Sequence, residues 1–241
     1  MERVVYERMR ELEQDHWWFV GRRKLLGRVL GGLGLPERAK ILEVGCGVGG
    51  NLPLLGRFGE VQAMEPDAQS RGYIQDRLGR PVADGLLPDG VPFEAGAFDA
   101  VCSFDVIEHV DEDAASVARL AELAKPGGVV VATVPAYAWM WSRHDELHHH
   151  KRRYLKPEFE ALFRAAGLTI VKASYFNTLL FPVAAAVRVA KRALGLSGED
   201  DTMPPAWLNR MLTGVFGLEA AWVARSSLPF GLSILVVARR A

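Results

Sequence analysis

The chain has 241 residues, 49% of them hydrophobic, and its 29 lysine and arginine residues balance 29 aspartate and glutamate residues. This length suits one α/β domain over residues 1–241, and the zero net charge argues against a nucleic-acid partner. Two cysteines, Cys46 and Cys102, are too few for a disulfide framework or a cysteine-rich metal site.

Residues 1–38 are predicted to form a helical cap ahead of the first strand. Apolar side chains have helical spacing over 4–14, and His16-Trp17-Trp18-Phe19 leads into a second helix that reaches about Leu33. Adjacent aromatic residues cannot all face one core from one helix, so at least one is expected to cover something outside it, such as a pocket mouth. For any single aromatic residue, packing of the helix pair on the flank of the sheet is the alternative. Charges interrupt the apolar residues at the amino terminus, which excludes the core of a secretory signal, and we expect a cytoplasmic location.

Residues 41–51 predict a buried strand that runs into a turn with four glycines. The turn fits two fingerprints. Gly45, Gly47 and Gly50 fit the G-x-G-x-x-G pattern of dinucleotide sites, whereas Glu43, Gly45, Gly47 and Gly49 fit the E-x-G-x-G-x-G loop of S-adenosylmethionine binders. The glycines alone do not decide between these ligands, and a tight turn without a ligand is a third interpretation.

An acidic residue follows the second predicted strand. Asn51 is expected to cap a helix over 52–58, and a strand over 60–65 then ends in Glu65, which Pro66 follows. Nucleoside-binding folds place the carboxylate that accepts hydrogen bonds from a ribose about 20 residues beyond the glycines. Glu65 is therefore predicted to contact a ribose.

A second acidic residue is expected at the end of a third strand. The pattern predicts a helix over 68–78 and a short strand over 81–83, which ends in Asp84 and Gly85. A carboxylate at this position would accept a hydrogen bond from an adenine amino group, and the glycine would permit close approach.

A fourth strand is predicted over 98–104, followed by Asp105-Val-Ile-Glu108-His109-Val110, a helix over 111–124 and a fifth strand over 129–134. The combination of Glu43-x-Gly45-x-Gly47-x-Gly49, Glu65, Asp84, Phe98-Asp99 and Glu108-His109-Val110 resembles class I S-adenosylmethionine-dependent methyltransferases over about the first 135 residues. This combination favours a methyltransferase over a nicotinamide dehydrogenase.

The resemblance implies a Rossmann-like, doubly wound and mainly parallel seven-stranded sheet with an antiparallel last strand. It also implies S-adenosylmethionine as cofactor. Because this cofactor presents a ribose and an adenine but no phosphate, separate acceptors such as Glu65 and Asp84 suit it. The predicted cofactor-binding residues are Trp18, Arg22, Glu43, Gly45, Gly47, Gly49, Asn51, Glu65, Pro66, Asp84, Gly85, Phe104 and Asp105.

Residues 136–154 are the densest cluster of titratable and aromatic groups and follow the carboxyl end of the fifth strand, where open α/β folds receive ligands. With the early His-Trp-Trp-Phe, the cluster resembles a bacterial branch near the quinone O-methyltransferases. His144 and His150 are candidate general bases, with His109 as a third candidate and Asp145 as an orienting group. The predicted substrate-binding residues are Trp139, Trp141, Asp145, Arg153 and Tyr154. Solvated or structurally paired histidines are the alternative.

Asp105, Glu108 and His109 have i, i+3, i+4 spacing, which would place oxygen and nitrogen ligands on one helical face. A similar Glu-x-x-Glu-His motif holds a divalent metal in the resembled quinone O-methyltransferases. Here the shorter Asp105 replaces the first glutamate, so we do not expect a metal to be required.

A helical insertion is predicted over 175–230, between a sixth strand over 168–174 and a last strand over 232–238. It contains an apolar run, a basic stretch, an acidic break over 198–201 and a second helix over 205–226. The apolar run is too short for a transmembrane span of roughly 20 residues. A lid over the acceptor or a homodimer contact is favoured over peripheral membrane contact through 175–192.

These patterns predict methyl transfer from S-adenosylmethionine to a small-molecule acceptor, with a hydroxyl preferred, by in-line displacement. A histidine-rich loop motivates oxygen as the nucleophile, since hydroxyls benefit from a base. An NAD(P)-dependent oxidoreductase and a non-catalytic cofactor-binding interaction module are the alternatives.

Overall fold

The strands of the sheet follow the apolar runs of the sequence. In the computed structural model, which describes residues 2–194 and 202–241, six strands form one sheet in the order β2-β1-β3-β4-β6-β5. They are β1 (Ala39–Val44), β2 (Gly59–Met64), β3 (Phe98–Phe104), β4 (Ala124–Pro135), β5 (Leu168–Phe176) and β6 (Ser233–Arg240). The pairs β1/β2, β1/β3 and β3/β4 are parallel, whereas β6 is antiparallel to both β4 and β5. The predicted antiparallel last strand is confirmed.

The third predicted strand, over 81–83, is wrong, so the described residues give six strands where seven were expected. Ala83 forms only an isolated bridge with Met64. Its backbone N–H donates to the Ala63 carbonyl at 2.9 Å, and its carbonyl accepts from the Glu65 N–H at 3.0 Å. Pro81 cannot donate a ladder hydrogen bond, and no apolar run precedes it, so pairing stops after one residue.

Helices cover both faces of the sheet, as a doubly wound fold requires. The helices are α1 (Arg3–Leu12), α2 (Trp17–Gly31), α3 (Leu52–Leu55), α4 (Ala68–Leu78), α5 (Asp113–Leu123), α6 (Arg143–Leu147), α7 (Lys156–Ala165), α8 (Phe181–Ala193) and α9 (Ala206–Arg225). On one face, α5 and α7 bury Leu120 and Phe159, and on the other, α2 and α9 bury Leu26 and Phe216. Each face thus has its own apolar core.

The expected cap at Asn51 is wrong. The helix that follows, α3, has a single turn and ends before Gly56, so Phe58 lies outside it. The side chain of Asn51 makes no capping hydrogen bond and instead donates from Nδ2 to Oε1 of Glu43 at 2.8 Å. A buried carboxyl group needs such a partner, because an unpaired buried polar group costs free energy.

Helices α8 and α9 lie between β5 and β6, where the insertion was expected. The predicted acidic break over 198–201 lies outside the described residues. Helix α9 packs on α2, and their contact is close: a Cβ added at Gly21 would stand 2.3 Å from Cδ1 of Phe216. No residue of α8, which is described in full, is buried. Within the described ranges, none of the helices has the length and apolar content needed to cross a bilayer.

Candidate functional site

A cavity of about 610 Å³ lies at the carboxyl ends of β1, β3 and β4. The sheet order places β2 on one side of β1 and β3 on the other, so the chain reverses its winding at this edge, where open α/β sheets bind ligands. Helices α1, α2 and α8 supply the remaining walls. The predicted site residues that line the cavity are Trp18, Arg22, Gly45, Gly47, Asn51, Glu65, Pro66, Gly85, Phe104, Asp105, Glu108, His109, His144, His150 and Arg153.

The glycine turn presents its backbone to this cavity. Gly45 and Gly47 have left-handed φ values of 69° and 56°, which other residues rarely adopt. A Cβ at Gly45 would stand 2.6 Å from Cγ2 of Val106, so the turn also requires glycine for space. Gly49 does not line the cavity, and its place beside Ile74 gives it a packing role instead.

Glu43 lies beneath the turn rather than in the cavity wall. It is buried, and burial raises its pKa to about 8, an effect that the hydrogen bond from Asn51 only partly offsets. Its Oε2 atom has no hydrogen-bond partner among the described residues. Glu43 is therefore mostly protonated at neutral pH and supports the turn through Asn51.

Glu65 joins the turn to the N-terminal cap. Its Oε2 accepts from the N–H of Gly47 at 2.9 Å, and its Oε1 accepts from the hydroxyl of Tyr6 and the N–H of Asp67, both at 3.2 Å. Burial raises the pKa of Glu65, and the hydrogen bonds from Asp67, Gly47 and Tyr6 oppose that rise. Burial, and then the Glu65 charge, raise the pKa of Tyr6.

Tyr6 is a site residue that sequence reasoning missed. Helix α1 lies over the turn, since Cε of Met9 would be 3.2 Å from a Cβ at Gly47 and the Glu13 carboxylate fills the space beside Gly50. The sequence offered only the helical spacing of this segment, which does not show where the helix docks.

Asp84 and Gly85, which follow the predicted third strand, lie in different surroundings. Gly85 lines the cavity, whereas the Asp84 side chain is 72% exposed and both of its oxygens accept from Arg71 at 3.1 Å. That Asp84 binds an adenine stays a prediction. The ion pair between Asp84 and Arg71 would have to break before Asp84 could accept a hydrogen bond from an adenine. Leu86 and Leu87 line the cavity next to Gly85.

An ion pair between α2 and the end of β3 crosses the cavity wall. Asp105 has a left-handed φ of 56°, and its carboxylate accepts from Nη1 of Arg22 and from Oγ1 of Thr133, the latter at 3.0 Å. Trp18 lies one helical turn before Arg22 and stacks on Phe176 at a ring-centroid distance of 6.2 Å. The predicted neighbours Arg22 and Asp105 therefore contact each other.

The histidine-rich loop contains a buried hydrogen-bonded cluster. Asp145 is fully buried in α6, and its Oδ1 lies 2.8 Å from Nδ1 of His150 and 2.7 Å from Nε of Arg153. Its Oδ2 accepts from Nη2 of Arg153 at 3.0 Å and from the N–H of Ser142 at 2.8 Å, which closes a capping box on α6. Local capping and the ion pair thus fix the same carboxylate.

The electrostatics of this cluster favour a neutral imidazole. Burial lowers the pKa of His150, and Asp145 partly opposes this effect. Burial alone would raise the pKa of Asp145, but His150 and Arg153 hold it well below its usual range. With Asp145 ionised, the proton of neutral His150 lies on Nδ1 and leaves Nε2 as an acceptor. Burial, followed by the neighbouring His150, lowers the pKa of His109 to about 3.

The predicted helical face of Asp105, Glu108 and His109 is wrong. Only Ile107–His109 forms a single 3-10 turn, and the left-handed backbone of Asp105 breaks the helical spacing. Two other sets, His144/His148/His150 and Glu108/His109/His150, have ligand atoms within 4.8 Å of one another, close enough to surround a cation. Burial raises the pKa of Glu108 well above its usual range, and neither of its oxygens has a hydrogen-bond partner among the described residues.

Of the predicted substrate-binding residues, only some lie at the cavity. Arg153 lines the cavity, and Asp145 lies behind His150. Trp139 is 47% exposed and its ring lies against Phe181 of α8, while neither it nor Trp141 lines the cavity. Tyr154 is buried outside the cavity and donates its hydroxyl proton to Asp113 at 2.8 Å. Residues of α8, including Val187 and Arg188, form part of the wall, although the sequence analysis assigned none of them to the site.

Comparison with known proteins identifies the domain. A family model described as a methyltransferase domain matches residues 18–173. The chloroplastic tocopherol O-methyltransferase of Arabidopsis thaliana is 34% identical over 103 residues, 38% of this chain and 29% of that protein. The ubiquinone biosynthesis O-methyltransferase of Xanthomonas axonopodis pv. citri is 29% identical over 154 residues, 56% of this chain and 64% of that protein. The chain thus spans less than two thirds of these curated relatives.

Solved structures share the fold. A chain of the complex between the Haloferax volcanii Trm112 methyltransferase activator and a protein named as a methyltransferase gives a TM-score of 0.64 at 17% identity, covering 97% of this chain and 93% of that chain. The Haemonchus contortus phosphoethanolamine N-methyltransferase 2, solved with S-adenosyl-L-methionine, gives 0.59 at 16% identity, covering 91% and 52%. The comparisons give no support to an oxidoreductase or a non-catalytic module.

Proposed function

Because the chain belongs to the methyltransferase domain family, as the resemblance predicted, we propose that it transfers a methyl group from S-adenosylmethionine to a hydroxyl of a small-molecule acceptor. One observation carries the proposal. The glycine turn with Glu65 and His150, which is hydrogen-bonded to the buried Asp145, line the same cavity although they are far apart in the sequence. A cofactor and an acceptor held in that cavity would react without a bimolecular encounter.

The cofactor half of the cavity is built from β1, β2 and α1. The backbone of Gly45 and Gly47 leaves room for the methionine part, and the Glu65 carboxylate accepts hydrogen bonds from ribose hydroxyls. A two-oxygen carboxylate has about four acceptor sites, so Glu65 can keep its contacts to Tyr6 and Gly47 while it binds a ribose. The bound cofactor supplies a methyl group on a positively charged sulfur. The Haemonchus contortus enzyme, which has the same fold, was solved with this cofactor, and that supports S-adenosylmethionine as the cofactor here.

The acceptor half supplies a base. Neutral His150 donates from Nδ1 to Asp145 and accepts the acceptor's hydroxyl proton on Nε2 as the oxygen attacks the methyl carbon. Asp145 then stabilises the imidazolium, and Arg153 keeps Asp145 ionised and in place. The hydroxyl oxygen gains the methyl group, the sulfur leaves with the bonding electron pair, and the proton stays on His150.

Separate observations support the nucleophile and the role of the insertion. Two relatives named as O-methyltransferases support oxygen, in line with a base in the site. Helix α8 lines the cavity with Ala184, Val187, Arg188 and Lys191, and Arg188 donates to the Met140 carbonyl, which supports a lid over the acceptor. A homodimer contact stays a prediction.

Two measurements test the proposal. Calorimetry should detect binding of S-adenosylmethionine and not of NAD, and labelled methyl should reach a member of a panel of hydroxylated metabolites. With that acceptor, His150→Ala should lower kcat by about 10²–10⁴-fold because the base is lost. The matched control is His149→Asn, since His149 is exposed, is absent from the cavity wall and has a left-handed φ of 55° that asparagine tolerates.

An unchanged kcat in His150→Ala would remove this histidine from the mechanism. Failure of both cofactor binding and transfer would contradict the function itself. Activity that persists after exhaustive chelation is expected, because Asp145 and His150 account for the proton without a cation.

A further inference from the structure

Helix α9 turns an apolar stripe away from the protein. Its inner side buries Phe216, Ala220 and Val223. On its outer side, four large apolar side chains are between half and two thirds exposed: Trp207 64%, Met211 50%, Leu218 67% and Trp222 56%. Their spacing along the chain is four, seven and four residues, which places them along one face of the helix. An outer face would ordinarily be polar, so this stripe needs a partner.

The charges on the outer side of α9, which is described in full, have one sign. Its basic residues are Arg210 and Arg225, and both are exposed. Its one acidic residue, Glu219, is buried, and its Oε2 accepts from the N–H groups of Thr178 at 2.7 Å and Leu179 at 3.1 Å. These hydrogen bonds hold the chain just before α8 against the middle of α9.

We propose that the outer face of α9 binds the surface of a lipid bilayer that contains anionic lipid. Tryptophan has an apolar ring and a polar N–H, which suits the boundary between headgroups and acyl chains. Basic side chains beside such a stripe attract anionic headgroups. Within the described ranges no helix can cross a bilayer, so α9 would lie along its surface.

The charge pattern favours lipid over a second copy of the chain. A symmetric dimer through this face would bring Arg210 and Arg225 of the two copies together, and like charges repel. An anionic surface instead attracts both arginines.

Vesicle co-sedimentation tests the proposal without cofactor or acceptor. The protein should sediment with phosphatidylcholine vesicles that contain phosphatidylglycerol and much less with phosphatidylcholine alone. Trp207→Ser combined with Trp222→Ser should lower the partition coefficient by about tenfold or more, since two large apolar side chains lose their contact with lipid. Arg210→Gln combined with Arg225→Gln should weaken the dependence on anionic lipid and on salt.

The matched control is Val171→Ser, which removes an exposed apolar side chain from β5 and leaves the stripe of α9 intact. It should leave vesicle binding unchanged, and circular dichroism checks that each variant is folded. Absence of binding to either vesicle type would overturn the proposal. So would self-association in sedimentation equilibrium that depends on Trp207 and Trp222 without vesicle binding, because the stripe would then belong to a dimer.

Discussion

Glu43 is a carboxyl group that the fold keeps away from water beneath the ligand-binding turn. Its pKa of about 8 in the folded protein exceeds the ordinary glutamate value of 4.5. Between these two values the unfolded chain has lost its proton and the folded chain retains it. The contribution of Glu43 to stability is therefore fully present at low pH, falls as pH rises through this window and is lost above it.

Glu43→Gln tests this linkage. The amide keeps an oxygen for the Asn51 side chain but cannot ionise, so the variant should lose the part of the pH dependence that Glu43 causes. That part amounts to about 1.4 kcal/mol per pH unit in the window between the two pKa values. Urea unfolding of both proteins across the window measures it, and parallel stability curves would contradict the assignment.

Single residues of the site were predictable where the chemistry is local. Glu65 follows a strand by one residue, so its place at the cavity edge could be inferred from the sequence. Its contact with Tyr6 could not, because the two residues are joined only when α1 docks on the turn. The pairing of His150 with Asp145 was expected as one of several options, and the buried Arg153 that fixes it was assigned to substrate instead.

The contact between α2 and α9 depends on Gly21, which has no side chain where Phe216 packs. A Cβ at Gly21 would meet Phe216 at 2.3 Å, so Gly21→Ala must push the two helices apart or distort the ring. Such overpacking typically costs about 1–3 kcal/mol, which exceeds the gain in helix propensity. We expect a lower free energy of unfolding by about that amount in chemical denaturation.

Gly72→Ala provides the contrasting variant. Gly72 lies in α4, is exposed, and a Cβ there would meet nothing within 4 Å. Alanine should therefore stabilise the protein by up to about 1 kcal/mol. Equal effects of the two substitutions would show that the α2–α9 contact is looser than the structure indicates.

Helix α1 covers the cofactor half of the cavity through the Tyr6–Glu65 hydrogen bond. If α1 closes over bound S-adenosylmethionine, Tyr6→Phe should weaken the closed state by about 1 kcal/mol, or about fivefold in Kd. Calorimetry measures the change. Tyr73→Phe serves as control because the Tyr73 ring packs under Arg10 and Arg77 outside the cavity wall. A Tyr6→Phe variant with unaltered Kd would mean that α1 is open when the cofactor binds.

Helices and strands were predictable where a strong periodicity of apolar residues coincided with residues that mark the ends of an element. Helix α4 has the predicted bounds, with Asp67 as its N-cap and Gly79 in a left-handed conformation at its end. The strand expected over 81–83 and the helical face expected for Asp105, Glu108 and His109 did not form, because the structure of short segments depends on their neighbours. Ala83 forms a single bridge, and Asp105 forms an ion pair with Arg22.

At the scale of the whole molecule, a mainly parallel sheet with an antiparallel last strand was expected from the family resemblance, and the position of the cavity from the carboxyl end of the fifth predicted strand. The winding reversal beside β1 brings the glycine turn to the same edge as the loop after β4, although the two are far apart in sequence. The placement of α1, α8 and α9 did not follow, since amphipathic helices can dock on several surfaces. These helices form the walls and the outer face for which roles are proposed.

The position of β6 determines when the fold can be completed. β6 lies between β4 and β5, and β5 has no other strand partner in the described part of the chain. During folding β5 therefore joins the sheet only through Ser233–Arg240. Until β6 pairs with it, β5 is an unpaired strand that can aggregate.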